Sequence, residues 1–376
     1  MKSTWFSKLV LLPCSKLYGA ATYMRNKFFD WDILKERQFE VPIISVGNLA
    51  VGGTGKTPHV EYLVEHFSKR MHVAVLSRGY RRATKGFIVA GRTSTPRDIG
   101  DEAYQIYHKF GGKVMVVVNE DRVEAINEIL RINPTIQLIV LDDAFQHRYV
   151  KPMLSILISE YNHPIYKDRL LPYGRLRESA RGVNRADIVI VSKCPAAMKP
   201  YDFRQQINEY DLFPSQELFF SHYTYQELRP VFPDLTTTVP YLDWLTEKDS
   251  ILAIAGIGNP RPFVRQIKSH DARVKVDVFS DHHNYSRKDI DYILGRYNSL
   301  REGGRRIIVT TEKDAVRLAA NPYFPYELKA HTFYLPVSVE FDYYDGCPDF
   351  LQTVEKAIAP ALRTSLRTIP TNKTLN

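Results

Sequence analysis

The chain has 376 residues, 44% of them hydrophobic, which suits two packed cores and excludes a disordered polypeptide. Its three cysteines, Cys14, Cys194 and Cys347, have no paired spacing, so neither a disulfide framework nor a zinc site is indicated and a reducing compartment fits. A net charge of +9 asks for a polyanionic partner, but no DNA- or RNA-reading module is recognisable and no nucleic acid is expected.

Residues 5–24 are mostly apolar but broken by Lys8, Pro13 and Lys16, too interrupted to span a bilayer and without a small-residue cleavage site. Trp5, Phe6, Leu9 and Leu12 fall at helical spacing, with Lys2, Lys8, Lys16, Arg25 and Lys27 available to anionic head groups. An interfacial helix over 1–35 fits, and so does a helix packed on the protein's own core. From 36 to 215 strand and helix alternate. Near-continuous β-branched runs at 43–47, 72–77, 114–118, 137–141, 154–158 and 187–191 predict a doubly wound, mostly parallel α/β sheet buried on both faces. Residues 216–250 read as a connector, with 218–223 able to pair with 331–340. A second, smaller α/β domain is expected over 251–360, with strands near 251–255, 274–279 and 306–310 and helices near 260–268, 286–297 and 312–319. A polar tail over 361–376 closes the chain.

The first strand runs into Gly47-Asn48-Leu49-Ala50-Val51-Gly52-Gly53-Thr54-Gly55-Lys56-Thr57, a strand, a glycine-rich turn and a helix start in P-loop order. Backbone N–H groups of such a turn, with a lysine, hold a triphosphate. Gly52, Gly53, Thr54 and Gly55 would form the cradle, Lys56 would reach the β- and γ-phosphates, and Thr57 would bind Mg²⁺. Ala50 stands where the strict pattern has glycine. The 137–141 strand ends in Asp142-Asp143, where P-loop proteins hold the metal or its water shell. Two adjacent acids in extended backbone point to opposite sides, so one of them is expected to face the metal. His147 either joins that site or packs beneath it. Asp101, after Gly100, reads as a helix cap or as a base for an attacking hydroxyl. Arg177 and Glu178 lie in an irregular segment suited to phosphate and metal contacts or to solvent. Arg78-Gly79-Tyr80-Arg81-Arg82 is either a second anion site or a solvated basic face. Asp281-His282-His283 alone is more ordinary, a strand-end histidine with a structural hydrogen bond, and Thr311-Glu312-Lys313-Asp314 reads as a helix cap or a nucleotide contact.

In combination, SVGNLAVGGTGKTP, LSRGYRR, GDEAYQ, LDDAFQHR, GRLRE, FSDHHNY and TEKDAVRL resemble, in this order, the tetraacyldisaccharide 4′-kinases, the lipid A kinases of Gram-negative bacteria. The resemblance covers residues from about 10 to about 320. Family members also lack the first P-loop glycine, which accounts for Ala50, whereas GDEA replaces the commoner GDEP. The resemblance implies transfer of the ATP γ-phosphate to the 4′-hydroxyl of a lipid-linked glucosamine disaccharide 1-phosphate. It implies ATP and Mg²⁺ as cofactors and a monomer peripheral to the cytoplasmic face of the inner membrane. By position it makes Asp101 the catalytic carboxylate working with His282 from the second domain, with Glu102 in support. Asp142, Asp143 and Glu178 become metal-site acids beside Thr57, and Arg122, His147 and Arg177 nucleotide-side residues. A P-loop kinase of a soluble sugar or nucleoside, and a P-loop ATPase switch acting on a protein, are the alternatives.

Overall fold

The computed structural model describes residues 10–367. Trp5, Phe6 and Leu9 of the expected interfacial face lie outside them. Helix α1 (Leu12–Asp30) comes first, followed by β1 (Ile43–Gly47), α2 (Lys56–Phe67), β2 (Val73–Ser77), β3 (Ile88–Val89), α3 (Pro96–Ile99), α4 (Asp101–Phe110), β4 (Met115–Val118), α5 (Arg122–Ile132) and β5 (Leu138–Asp142). The chain continues through β6 (Leu154–Glu160), β7 (Ile188–Ser192), α6 (Pro200–Tyr210) and β8 (Glu217–Tyr225). Among the described residues these strands form a nine-stranded sheet in the order β14-β8-β7-β6-β1-β5-β2-β4-β3. The pairs from β8 to β4 are parallel, whereas β3 and β14 (Val337–Asp342) run antiparallel at the two edges.

β1 lies between β5 and β6, so the chain winds outward to both sides of it. A doubly wound sheet opens a crevice at such a switch point, outside the C-terminal strand ends. The glycine-rich turn after β1 and Asp142 at the end of β5 both fall there. The strands have apolar residues on both faces because helices cover both: Val60, Leu63, Val64 and Phe67 of α2 enter one core, Ala125, Ile126 and Ile129 of α5 another.

β9 (Arg229–Pro230), β10 (Ser250–Ala255), α7 (Arg261–Lys268), β11 (Arg273–Val278), α8 (Arg287–Asn298), β12 (Arg306–Thr311), α9 (Glu312–Ala319), α10 (Tyr326–Lys329) and β13 (Thr332–Leu335) build the second unit. Its sheet has the order β11-β10-β12-β13-β9, parallel except for β9.

Three assignments differ from expectation. The segment 331–340 is not one connector strand: Pro336, which has no N–H to offer a ladder, separates β13 in the small sheet from β14 in the large one. β8 is likewise no connector but an inner strand, parallel to β7 and antiparallel to β14. The second unit also ends before 360. Phe350, Val354 and Ile358 of α11 (Phe350–Arg367) are one helical face buried in the core of the large sheet, with Val64 and Phe219. The chain thus crosses to the small sheet after β8 and returns after β13, giving the two units two covalent links.

Candidate active site

The turn after β1 is held from several sides. Gly52 and Gly55 have φ of +108° and +96°, a region that L side chains avoid. A Cβ at Gly55 would also meet the Tyr223 hydroxyl. Asn48 Nδ2 donates to Thr54 Oγ1 (2.7 Å), Ser192 Oγ donates to the Thr54 carbonyl (2.7 Å), and Lys193 Nζ donates to the Gly53 carbonyl. Ala50 is buried and bridges to Leu176, so the missing glycine is a packing position. Behind the loop, buried His59 bonds Gly55 O through Nδ1 and Ser221 Oγ through Nε2. A carbonyl only accepts, so Nδ1 carries the proton and Nε2 accepts from the serine. Burial lowers this imidazole to about 4, which keeps it neutral.

Asp142 ends β5, and the chain turns at the next residue, Asp143, which has φ +52°. Its carboxylate takes Arg177 Nη1 at 3.0 Å and lies 3.5 Å from Lys56 Nζ. Burial alone would raise its carboxyl, but Lys56 and Arg177 together hold it below the usual range. Asp142 is 1% exposed, and neither of its oxygens has a hydrogen-bond partner. Burial, with Glu102 and Asp143 nearby, pushes this carboxyl up to about 8 against the pull of Lys56 and Lys313. A buried carboxylate without donors is costly unless a cation or its water shell satisfies it, so Asp142 suits a divalent ion beside Thr57.

The other acids expected at the metal have protein partners of their own. Among the described residues no three His, Cys, Asp or Glu side chains converge as a cage. Glu178, expected at the metal, has its oxygens taken by Asn26 (2.7 Å), Arg185 (2.8 Å) and Gln146 (3.1 Å), and the first of these bonds ties α1 to the body. Glu102 pairs with Lys313 Nζ at 3.2 Å and Asp143 with its two cations. Mg²⁺ commonly takes one or two carboxylates and completes its shell from phosphate and water, so a sparse protein contribution fits.

Arg122 and His147 also sit deeper than an exposed phosphate contact would. Arg122 is 1% exposed, donates to the Asn119 carbonyl and leaves Nε unpartnered. Burial draws its guanidinium down to about 10, opposed by the charge of Asp142. His147 Nε2 lies 3.1 Å from the Glu120 carbonyl and Nδ1 is buried without a partner. Burial lowers its pKa.

The other half of the site joins the two sheets. Asp101 is the first residue of α4, but Gly100 occupies the cap and Asp101 makes no cap bond. Its Oδ2 instead lies 3.3 Å from His282 Nδ1. His282 follows β11 with φ +56°, and Tyr80 packs edge-on to its ring. Arg317 of α9, absent from the expected site, reaches the same Oδ2 through Nε (3.0 Å) and Nη2 (2.6 Å). Burial would raise the Asp101 carboxyl, but the His282 and Arg317 hydrogen bonds and the arginine charge outweigh it and hold the group at about 2. His283 turns away, bonding Ser280 and Asp289. Thr311 caps α9 by accepting from Asp314 N, and Asp314 is fully buried. Arg82 bonds Glu120 and the Gly86 carbonyl, whereas Tyr80 is exposed beside His282.

Arg317, Lys193, Ser192 and Tyr223 were not legible as site residues. The local signals are polar residues at the end of a buried strand for Ser192 and Lys193, and, for Arg317, its place in TEKDAVRL at helical spacing from Asp314.

Comparison with known proteins points to one family. A family model described as tetraacyldisaccharide-1-P 4′-kinase matches residues 7–358. A tetraacyldisaccharide 4′-kinase of Bacteroides fragilis is 48% identical over 332 residues, 88% of each chain. That of Parabacteroides distasonis is 42% identical over 97% of each chain. A crystal structure of LpxK from Aquifex aeolicus in complex with ATP superposes with a TM-score of 0.70 at 28% identity, covering 93% of this chain and 98% of that one.

Proposed function

The chain belongs to the tetraacyldisaccharide-1-phosphate 4′-kinase family, and from that premise we propose how its residues divide the work. The enzyme phosphorylates the 4′-hydroxyl of a tetraacyl disaccharide 1-phosphate with ATP, a step of lipid A synthesis. Family membership removes the soluble-sugar kinase and the ATPase switch.

The turn from Gly52 to Gly55 grips the triphosphate with backbone N–H groups, and Lys56 neutralises charge on the transferring phosphoryl group. Thr57 and Asp142 would hold Mg²⁺, which supplies further neutralisation of the β- and γ-phosphates when bound. Asp143, with Arg177, keeps Lys56 aimed at the phosphate side. Arg122 supports Asp142 from beneath. Asp101 takes the proton of the attacking hydroxyl at its free oxygen, and His282 orients that carboxylate. The meeting of Asp101 with His282, 181 residues apart in sequence, carries this assignment. Because the two come from different sheets, closure of the small unit brings base and acceptor together and excludes water that would otherwise consume ATP.

The test incubates purified enzyme with ATP, Mg²⁺ and the disaccharide 1-phosphate lipid in detergent and follows the bisphosphorylated product by mass spectrometry. Asp101→Ala is expected to lower turnover by about 10²–10⁴-fold with ATP affinity retained. Loss of ATP binding would make Asp101 a nucleotide or metal ligand instead.

The enzyme works as a monomer on the cytoplasmic leaflet, its site completed within one chain. No helix among the described residues is long and apolar enough to cross a membrane. α1 is fastened along one side by Ser15 to the Leu170 carbonyl, Tyr18 to the Arg177 carbonyl and the buried ring of Phe29. Its other side and the turn after it expose Leu17 (73%), Tyr23, Phe28 and Trp31 (60%). Exposed apolar groups of this size next to Lys16 suit a head-group interface. Leu17→Glu with Trp31→Glu should abolish flotation with anionic vesicles while leaving turnover on short-chain acceptor intact; unchanged flotation would rule the face out.

A further inference from the structure

Arg317 lies in the TEKDAVRL segment and meets the Asp101 carboxylate, yet none of the assigned roles belongs to it. Its side chain is 8% exposed. It is a permanent donor in a fixed fork, and all three nitrogens are engaged. Nη1 donates to Asp314 Oδ1 (3.0 Å) and to the Gly256 carbonyl (3.3 Å). Nε and Nη2 converge on Asp101 Oδ2, and Nη2 also lies 3.1 Å from His282 Nδ1.

The rear anchor is itself rigid. Asp314 is fully buried, and beyond Arg317 it accepts from Gly256 N (2.8 Å), Thr311 Oγ1 (2.6 Å) and the Tyr285 hydroxyl (3.1 Å). Such a saturated carboxylate is expensive to move, because each lost donor would leave a buried charge less compensated. The guanidinium is therefore clamped within the small unit before it meets Asp101.

We propose that Arg317 is a positioning residue for phosphoryl transfer: it carries the rigidity of the Asp314 cluster across the boundary between the units and locks the Asp101 carboxylate through one oxygen, leaving the other for the acceptor hydroxyl. The proposal rests on Asp101 being the base. Two donors on one carboxylate oxygen fix both its side-chain torsions, which His282 alone, at 3.3 Å, does less well. The same contact ties readiness to closure. When the units separate, Asp101 loses Arg317 and His282 together, so an oriented base exists only in the closed state. Water reaching the open site would then find ATP without an aligned base.

The test compares Arg317→Ala, Arg317→Lys and Asp101→Ala by kcat, by KM for ATP and by thermal melting. Arg317→Ala is expected to lower kcat about 10²-fold, the scale of a base misplaced by about 1 Å, with KM for ATP within about twofold. Free guanidinium should restore part of that loss and have no such effect on Asp101→Ala. Arg317→Lys keeps a charge and the fold but cannot fork, and should remain about tenfold slow. Arg317→Ala near wild-type kcat while Asp101→Ala is dead would overturn the proposal and spare the base. Asp101→Ala at full kcat would remove the base and the proposal with it. A raised KM for ATP in both Arg317 variants would place Arg317 in nucleotide binding and reject the positioning role. If Arg317→Ala fails to fold, Arg317→Lys decides: full activity rejects the proposal, and slow turnover with unchanged melting supports it.

Discussion

In the large unit the glycine turn is held by neighbours from that same unit, whereas the Asp101 carboxylate is held by the other unit. Ser192 at the end of β7, Lys193 after it, Tyr223 on β8 and His59 one turn into α2 all brace the glycine turn. Asp101 owes its orientation to His282 and Arg317, which the chain reaches only after crossing to the small sheet. The donor side is thus complete as soon as one sheet has folded. The cluster around Asp101 takes shape only where the two units meet. An enzyme that must bind ATP continually, but spend it only on a lipid hydroxyl, gains from that asymmetry.

The largest effect should come from breaking the preformed side. Gly55→Ala places a Cβ on a residue with φ +96° and against the Tyr223 hydroxyl. Backbone strain of this kind costs of the order of 1–3 kcal/mol, and relief requires the turn to change shape. ATP binding should fall below detection by calorimetry while the far-UV spectrum stays native. Gly55→Ala that binds ATP normally would show that the turn is not preformed. In contrast to Asp101→Ala, this variant is expected to lose the nucleotide and not merely the chemistry.

Next in size, Asp142→Asn separates the metal from the nucleotide. The two unpartnered oxygens of Asp142 are buried at the end of β5, and the amide cannot replace a carboxylate as a hard anionic ligand. Mg²⁺ should raise the melting temperature of the wild type in the presence of ATP and have little further effect on the variant. Turnover is expected to fall about 10²-fold or more. An undiminished Mg²⁺ shift would move the metal to another group. The comparison is sharpened by Glu178→Gln, which should spare the Mg²⁺ shift and instead loosen α1, because Glu178 serves Asn26, Gln146 and Arg185.

The same asymmetry explains what could be read from sequence. The strand expected at 72–77 is Val73–Ser77 and the helix expected at 312–319 is Glu312–Ala319, since local apolar periodicity and Thr311 as a cap define both. The glycine turn is equally local. Asp142 and Asp143 were visible as a pair, but which one stays free depends on the positive φ of Asp143 and on Arg177, 34 residues on. Arg317 falls within TEKDAVRL, but its role could not be read there, because its partner lies 216 residues earlier and an arginine on a short helix looks like any solvated one. The misplaced end of the second unit has a similar origin. The apolar face of Phe350, Val354 and Ile358 predicts a buried helix without saying which of two sheets will bury it.

The smallest effect concerns the contact between the units away from the chemistry, and it has a pH signature. Lys109 on α4 pairs with Glu61 of α2 and lies 3.6 Å from Glu312 at the start of α9. Burial pushes the Glu312 carboxyl up to about 7, reinforced by Glu61 and opposed by Lys109 and Arg229. A carboxyl raised from its ordinary 4.5 binds a proton more tightly in the folded chain. Its contribution to stability is therefore fully present below about pH 4.5 and is lost as pH rises through about 7. Glu312→Gln makes the neutral form permanent and should flatten the fall in melting temperature between pH 5 and pH 8, with kcat within about threefold of wild type because the residue touches neither phosphate nor hydroxyl. A slope unchanged from wild type would mean that Lys109 and Arg229 keep Glu312 ionised, so that the two units meet through a complete charge cluster and not through a shared proton.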